Sequence, residues 1–115
     1  MSDALVISVG NVQFEGIRRI THFEPPGGSC LYVVLFKPKP ETNPLDLKIL
    51  YFGEHEHLDS ADFYGNHPKL RCWVSEGGRL DALYIGYHAM PESSLAERKQ
   101  AIFDLLEVFR PVCNI

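Results

Sequence analysis

The chain has 115 residues, of which 45% are hydrophobic and 23% charged, and its formal net charge is -4 at pH 7. This size and composition predict one globular domain that buries about two-thirds of its unfolded surface and needs neither a disulfide nor a metal to fold. The negative charge argues against a protein whose main task is nucleic-acid binding, because lysine and arginine neutralise the phosphates in such proteins.

The cysteines and the amino terminus indicate the compartment. The three cysteines are an odd number and form no CxxC pair, which favours a reducing cytoplasm and disfavours a structural zinc site. The apolar run at residues 4–9 is too short for a signal sequence or a membrane span. We therefore expect a cytoplasmic protein without a membrane partner.

The first quarter of the chain predicts a strand followed by a turn. Residues 4–9 are rich in β-branched side chains and end at the turn dipeptide of residues 10–11, as is typical of a strand. Residues 12–20 are compatible with a helix or a strand, although a glycine within them weakens the helix. The Pro-Pro-Gly-Gly run at residues 25–28 predicts a rigid loop.

Two further strands are predicted in the middle of the chain. Residues 31–36 are apolar at every position, which indicates a central strand buried on both faces. The proline-containing stretch at 37–44 predicts an exposed loop that is longer than most hairpin connections. The next strand covers residues 47–52 and ends at Gly53.

The second half mixes helix and strand signals. The polar segment at residues 54–62 predicts a short helix that begins near Leu58, and residues 68–74, with the only tryptophan, predict a second short helical or irregular element. Residues 82–88 alternate as a strand does. The pattern as a whole predicts an α+β fold, with a small mixed or antiparallel sheet of three or more strands flanked by helices.

The last helix has the clearest signals. Ser94 and Glu97 have the spacing of a capping box, in which each side chain binds a free backbone N–H at the start of a helix. Pro111 marks its end. Apolar residues recur at helical spacing and predict a stripe that faces the core: Leu95, Ile102, Leu105, Leu106 and Phe109.

Three short motifs stand in a characteristic order. They are CLYV at residues 30–33, LYFG at 50–53 and FRPVCN at 109–114. With these motifs, the motif-bearing core at 30–114 resembles the GIY-YIG nuclease superfamily, and residues 1–29 are an N-terminal extension of a single GIY-YIG-like domain. The resemblance implies that Tyr32 and Tyr51 are the tyrosines of its two strand motifs.

The chain departs from this family at catalytic positions. Ala61 stands where the resemblance implies an arginine that stabilises phosphoryl oxygens, and Ile102 stands where it implies the glutamate that holds a divalent metal. Cys30 replaces the first motif's glycine, and the loop between the tyrosine strands is longer than usual. Loss of one preorganised electrostatic group typically costs on the order of 10²–10³ in rate. The residues therefore favour a catalytically degenerate domain without a cofactor, which binds a protein or a nucleic acid.

Two alternatives remain open. The first is a divergent nuclease with Tyr32, Tyr51 and His67 as catalytic residues and with Mg²⁺ or Mn²⁺ as cofactor. Its metal candidates are imidazoles and carboxylates in the segment after the second tyrosine: Glu54, His55, Glu56 and His57. The second is another small α+β protein in which both tyrosines only pack in the core.

Overall fold

The computed structural model describes residues 5–37 and 47–114. It contains five strands, namely β1 (Leu5–Val9), β2 (Val12–Arg19), β3 (Cys30–Phe36), β4 (Lys48–His55) and β5 (Leu83–Ala89). The α-helices of these ranges are α1 (Leu70–Gly77) and α2 (Leu95–Val108), and short 3₁₀ turns lie at Ile20–His22, Phe63–Asn66, Leu80–Ala82 and Val112–Asn114. The predicted α+β class is confirmed. Neither α-helix is long and apolar enough to cross a membrane.

The five strands form one antiparallel sheet in the order β1-β2-β5-β3-β4. β3 pairs with β5 on one side and with β4 on the other, and its first six residues are buried. This confirms the central strand that its uninterrupted apolar sequence predicts. β4 lies at one edge of the sheet, and this edge positions the candidate site.

Strands also form in the segment that precedes the motif-bearing core. Residues 12–19, whose sequence is compatible with either a helix or a strand, form β2. This strand pairs with both β1 and β5. Gly10 has a φ of 60° in the turn between β1 and β2, a conformation that glycine adopts without steric cost. Phe14 and Ile17 of β2 are buried, so this segment belongs to the sheet and its core.

The sheet separates two apolar clusters because successive side chains of a strand point to opposite faces. On one face, Tyr32 and Val34 of β3 pack with Trp73 of α1. On the other face, Val33 of β3 packs with Leu105 of α2. Each helix therefore covers one face, and the tyrosines of the strand motifs lie on the α1 face.

No helix begins at Leu58, in contrast to the prediction. β4 continues to His55, and the backbone then pairs with the preceding loop: Gly27 N donates to Leu58 O at 2.8 Å and Leu58 N donates to Gly28 O at 3.0 Å. The Leu58 side chain is fully buried. Burial of this leucine and pairing with a distant loop determine the local backbone here, neither of which the local sequence reveals.

Helix α2 begins with the predicted capping box, in which Ser94 and Glu97 each accept a backbone N–H. The predicted apolar stripe is wrong at its first position, because Leu95 is 49% exposed. Arg98 instead points inward and is 1% exposed. The helix ends at Val108, before the predicted stop at Pro111.

The structure contains a disulfide that the odd cysteine count left unpredicted. Cys72 of α1 is bonded to Cys113 in the last 3₁₀ turn, across 41 residues of sequence. Cys30 is free and buried, as its apolar surroundings in the sequence indicate. The bond ties the C-terminal segment to the α1 face of the sheet.

Candidate functional site

The two motif tyrosines lie side by side on the α1 face. In the β3–β4 register Tyr32 faces Gly53 and Val34 faces Tyr51, so that the tyrosines are diagonal neighbours with ring centroids 6.1 Å apart. A Cβ atom on Gly53 would stand 2.3 Å from the ring of Tyr32. The glycine therefore provides the space in which the Tyr32 ring crosses β4.

His67 joins the tyrosine pair from the loop before α1. Its Nε2 lies 2.6 Å from Tyr32 Oη, and its Nδ1 accepts the backbone N–H of Lys69 at 3.0 Å. Since a neutral imidazole carries one N–H, the accepting Nδ1 places the proton on Nε2, which then donates to Tyr32 Oη. The imidazole packs on the indole of Trp73, with ring centroids 4.4 Å apart.

The three groups stay uncharged near neutral pH. Burial, and next the neighbouring Tyr51, raise the pKa of Tyr32. Burial also raises the pKa of Tyr51, although its hydrogen bond with Tyr32 acts in the opposite direction. Burial, His55 and Lys69 all lower the pKa of His67. The His67–Tyr32 hydrogen bond and the neighbouring Tyr51 ring therefore form an uncharged polar cluster at the cleft.

An open cleft of about 440 Å³ lies around the free edge of β4. Its α1 side contains the tyrosine–histidine cluster, and its α2 side is formed by successive turns of that helix. The lining residues are Tyr32, Tyr51, Phe52, Gly53, Glu54, His67, Pro68, Lys99, Ile102, Phe103, Leu106 and Asn114. The cleft thus joins an aromatic, hydrogen-bonding wall to a largely apolar helical wall.

Glu54 is the only carboxylate among these lining residues, and a buried arginine binds it. Arg98 Nε donates to Glu54 Oε1 at 2.7 Å, and Arg98 Nη1 donates to the carbonyl oxygen of Ser93 at 2.7 Å. Glu56 lies further from the guanidinium, with 3.9 Å between its Oε1 and Nη2. The charge of Glu54 is therefore used within the fold to satisfy a buried cation.

The four metal candidates do not come together as one group. Glu54 and Glu56 face Arg98, whereas His55 Nδ1 accepts the backbone N–H of His57 at 3.0 Å. The His57 side chain is mostly exposed. Within residues 5–37 and 47–114, no three His, Cys, Asp or Glu side chains are grouped so that they could hold a metal ion.

The two positions at which the chain departs from the family differ in location. Ile102 lines the cleft, where the resemblance implies a metal-binding glutamate. Ala61 lies in an exposed turn and is not among the lining residues. An isoleucine at this position makes the cleft more apolar than a glutamate would.

Asn114 has a role at the site that the sequence did not assign. Its Oδ1 accepts the backbone N–H of Phe52 at 2.8 Å and its Nδ2 donates to the Phe52 carbonyl at 3.0 Å. The amide thus pairs with the outer edge of β4 much as another strand would. Its place in the tail motif pointed to this residue, but the sequence could not show its partner.

Lys99 and Phe103 are further lining residues that the sequence analysis missed. They lie four residues apart and therefore on one side of α2, together with Ile102 and Leu106. Phe103 is 58% exposed, which sets this side apart from the buried stripe. The helical spacing of Ile102, Phe103 and Leu106 is the sequence signal that could have revealed this side of α2.

Comparison with known proteins finds no relative. No protein-family model, curated protein or solved structure matches the chain. The family resemblance therefore rests on residues of the chain itself.

Proposed function

We propose that the chain is a GIY-YIG-like domain that has lost hydrolysis and uses the cleft beside β4 to bind a partner. The observation that carries the proposal concerns the carboxylate groups of the cleft. Ile102 lines the cleft at the position of the family's glutamate. Glu54, the one lining carboxylate of the described residues, is bonded to the buried Arg98.

The remaining groups are poorly suited to metal-assisted hydrolysis. Hard divalent cations need several oxygen ligands, and Glu54 cannot turn to a metal without leaving the Nε of the buried Arg98 without its acceptor. The Asn114 amide oxygen already accepts the N–H of Phe52. Lys99 is the only cationic side chain among the described lining residues, so stabilisation of a developing phosphoryl charge is weak.

The surface of the cleft favours a protein segment as the partner. Ile102, Phe103 and Leu106 provide an apolar wall, and Tyr51 and His67 face it with aromatic rings and polar atoms. Binding sites commonly combine such a wall with a few polar groups that orient the ligand. The net charge of -4 and the single lining lysine favour apolar side chains over a phosphate backbone.

The loss of hydrolysis is tested by incubating the protein with single- and double-stranded DNA and RNA in the presence of Mg²⁺ or Mn²⁺. We expect no cleavage above that of the Tyr51→Phe variant, which removes a tyrosine hydroxyl from the cleft. Cleavage by the wild-type protein that this variant loses would overturn the proposal.

The binding role is tested with two helix variants in cross-linking experiments. Phe103→Ser removes an aromatic ring from the cleft, whereas Val108→Ser removes an even more exposed apolar side chain of α2 outside this cleft. We expect the cross-linked partner to be lost only with Phe103→Ser. Equal loss with both variants, or with neither, would contradict binding in the cleft, and a captured nucleic acid would contradict the choice of a protein partner.

One observation favours a divergent metal-dependent nuclease as the second candidate. The Tyr32–His67 hydrogen bond and the adjacent Tyr51 form an acid–base group that opens on the cleft. Glu54 would hold Mg²⁺ or Mn²⁺ only after release from Arg98. This candidate predicts metal-dependent cleavage that His67→Ala and Glu54→Gln both abolish, and a folded protein without such cleavage excludes it.

A further inference from the structure

The C-terminal tail segment, residues 109–114, is held at the cleft by two neighbouring links. Cys113 is bonded to Cys72 of α1, and the next residue, Asn114, pairs through its side chain with the backbone of Phe52. One link is covalent and the other consists of two hydrogen bonds. Together they keep the tail segment on the free edge of β4.

Both links adjoin the candidate site. Asn114 itself lines the cleft. Cys72 precedes Trp73, whose indole packs against His67. The disulfide therefore connects the element behind the tyrosine–histidine cluster to the segment that covers the edge of β4.

We propose that the Cys72–Cys113 disulfide is a redox latch, whose reduction by a dithiol releases the end of the tail segment, residues 112–114, from β4 and opens the cleft while the sheet stays folded. This inference rests on the proposed function, because it concerns access of a partner to the same cleft. It adds a condition to that function, namely that the cleft is wider in the reduced protein.

The exchange step has one accessible sulfur. Cys72 is partly buried and Cys113 is 1% exposed, so a thiolate of the dithiol attacks Cys72 Sγ and the electron pair of the S–S bond leaves on Cys113 Sγ. The second thiol then attacks the mixed disulfide and releases Cys72. The dithiol becomes a disulfide, and both cysteines take up protons.

Cys30 does not replace the external reductant. Burial raises the pKa of its thiol to about 12, and only the thiolate is a good nucleophile. Its side chain is also fully buried. The state of the latch therefore depends on thiols outside the protein.

Once the covalent link is gone, Phe109 still packs on Phe52, with ring centroids 6.5 Å apart, and Cys113 still lies in the apolar cluster of the α1 face. The end of the tail segment, residues 112–114, is otherwise held mainly by hydrogen bonds. The two Asn114–Phe52 hydrogen bonds contribute little net stability, because water can replace them at the sheet edge. Val112 is exposed. β3, in contrast, keeps its pairing with β4 and β5, so release of the tail does not require unfolding of the sheet.

Amide hydrogen exchange at Phe52 reads the latch directly, because this N–H is bonded to Asn114. We expect the Phe52 amide to exchange at least tenfold faster in dithiol-reduced protein than in oxidised protein, with Val33 of the central strand unchanged. The Cys72→Ser/Cys113→Ser double variant should behave as the reduced protein does. The Cys30→Ser variant should retain the oxidised behaviour and its response to reductant.

Three results would overturn the latch. They are unchanged Phe52 exchange after reduction verified by mass, equal acceleration at Phe52 and Val33, and failure of Cys72 and Cys113 to pair in protein treated with glutathione disulfide. No ligand or nucleic acid enters this experiment. Nuclease activity would therefore refute the proposed function without altering the exchange result, and a failed latch would leave the binding and cleavage results intact.

Discussion

Tyr32 lies directly across the β3–β4 pair from Gly53, and its phenol ring fills the space that a side chain at residue 53 would occupy. The Tyr32 side chain is almost fully buried, and its hydroxyl oxygen accepts the hydrogen bond from His67. The glycine of the second strand motif is thus explained by the tyrosine of the first. The two motifs are complementary parts of one packing arrangement, whatever chemistry they support.

Gly53→Ala should destabilise the protein by roughly 1–3 kcal/mol, the usual cost of forcing an extra carbon into a packed core. The added Cβ would stand 2.3 Å from the Tyr32 ring, which has to move. Urea denaturation measures the effect. Gly65→Ala is the matched control, because a Cβ there meets nothing within 4 Å. Equal losses in the two variants would refute this account of the glycine.

Local patterns were sufficient to predict much of the fold. The apolar run of β3 indicates a central strand because only a strand covered on both faces is apolar throughout. The spacing of Ser94 and Glu97 predicts the start of α2 because both capping partners lie within one turn. Such signals are carried by neighbouring residues and do not depend on the tertiary fold.

Features that depend on distant partners were missed. Leu58 does not start a helix, because its backbone pairs with Gly27 and Gly28 far earlier in the chain. Arg98 points inward, although a lone arginine on a helix predicts exposure, because Glu54 of β4 reaches it. The Cys72–Cys113 bond likewise joins residues that no local pattern links.

In the candidate site, too, local sequence predicted some features, and contacts between distant residues determined the others. The resemblance assigned Tyr32 and Tyr51 to two strands, and the β3–β4 register makes them diagonal neighbours. His67 joins them only because the 3₁₀ turn at Phe63–Asn66 returns the chain to β3 just before it. The acidic and histidine residues after Tyr51 were considered as one group, but strand alternation and the Arg98 pair separate them.

Removing one charge of the Glu54–Arg98 pair should destabilise the protein strongly, whereas removing both charges should destabilise it little. Glu54→Leu leaves a guanidinium that is 1% exposed without its carboxylate, and breaking a buried pair in this way costs about 3–5 kcal/mol. The double variant Glu54→Leu/Arg98→Met should recover most of that loss, because it removes both charges. Chemical denaturation of the single and double variants gives the coupling energy.

The Arg98→Met variant completes this cycle. Additive losses in the double variant would show that the two side chains do not interact energetically. Such a result would also weaken the proposed function, since Glu54 would then be free to bind a cation.

His67 should make the protein less stable as the pH falls below the ordinary histidine value of 6.5. Burial lowers the pKa of His67, so the unfolded chain binds the proton more tightly than the folded protein does. The contribution is complete above pH 6.5 and is lost as the pH falls through the folded-state pKa. Protonation would also remove the Nδ1 lone pair that accepts the Lys69 N–H.

His67→Asn tests this prediction, because asparagine keeps a short acceptor but does not titrate. The free energy of unfolding should fall less steeply between pH 7 and pH 5 in the variant than in the wild type. Parallel curves for the two proteins would mean that the imidazole is not desolvated as the structure indicates.

Cys30 should be almost inert towards a disulfide reagent such as DTNB in the oxidised native protein at pH 8. Burial raises the pKa of this thiol from 9.0 to about 12, with Arg98 acting against the shift and Glu54 adding to it. That shift lowers the thiolate fraction at pH 8 roughly 1,000-fold, and burial of the sulfur slows labelling further. Protein unfolded in guanidinium should react at the rate of a free cysteine, and Cys30→Ser should abolish labelling in both states. Native labelling as fast as unfolded labelling would place Cys30 outside the core and contradict the central position of β3.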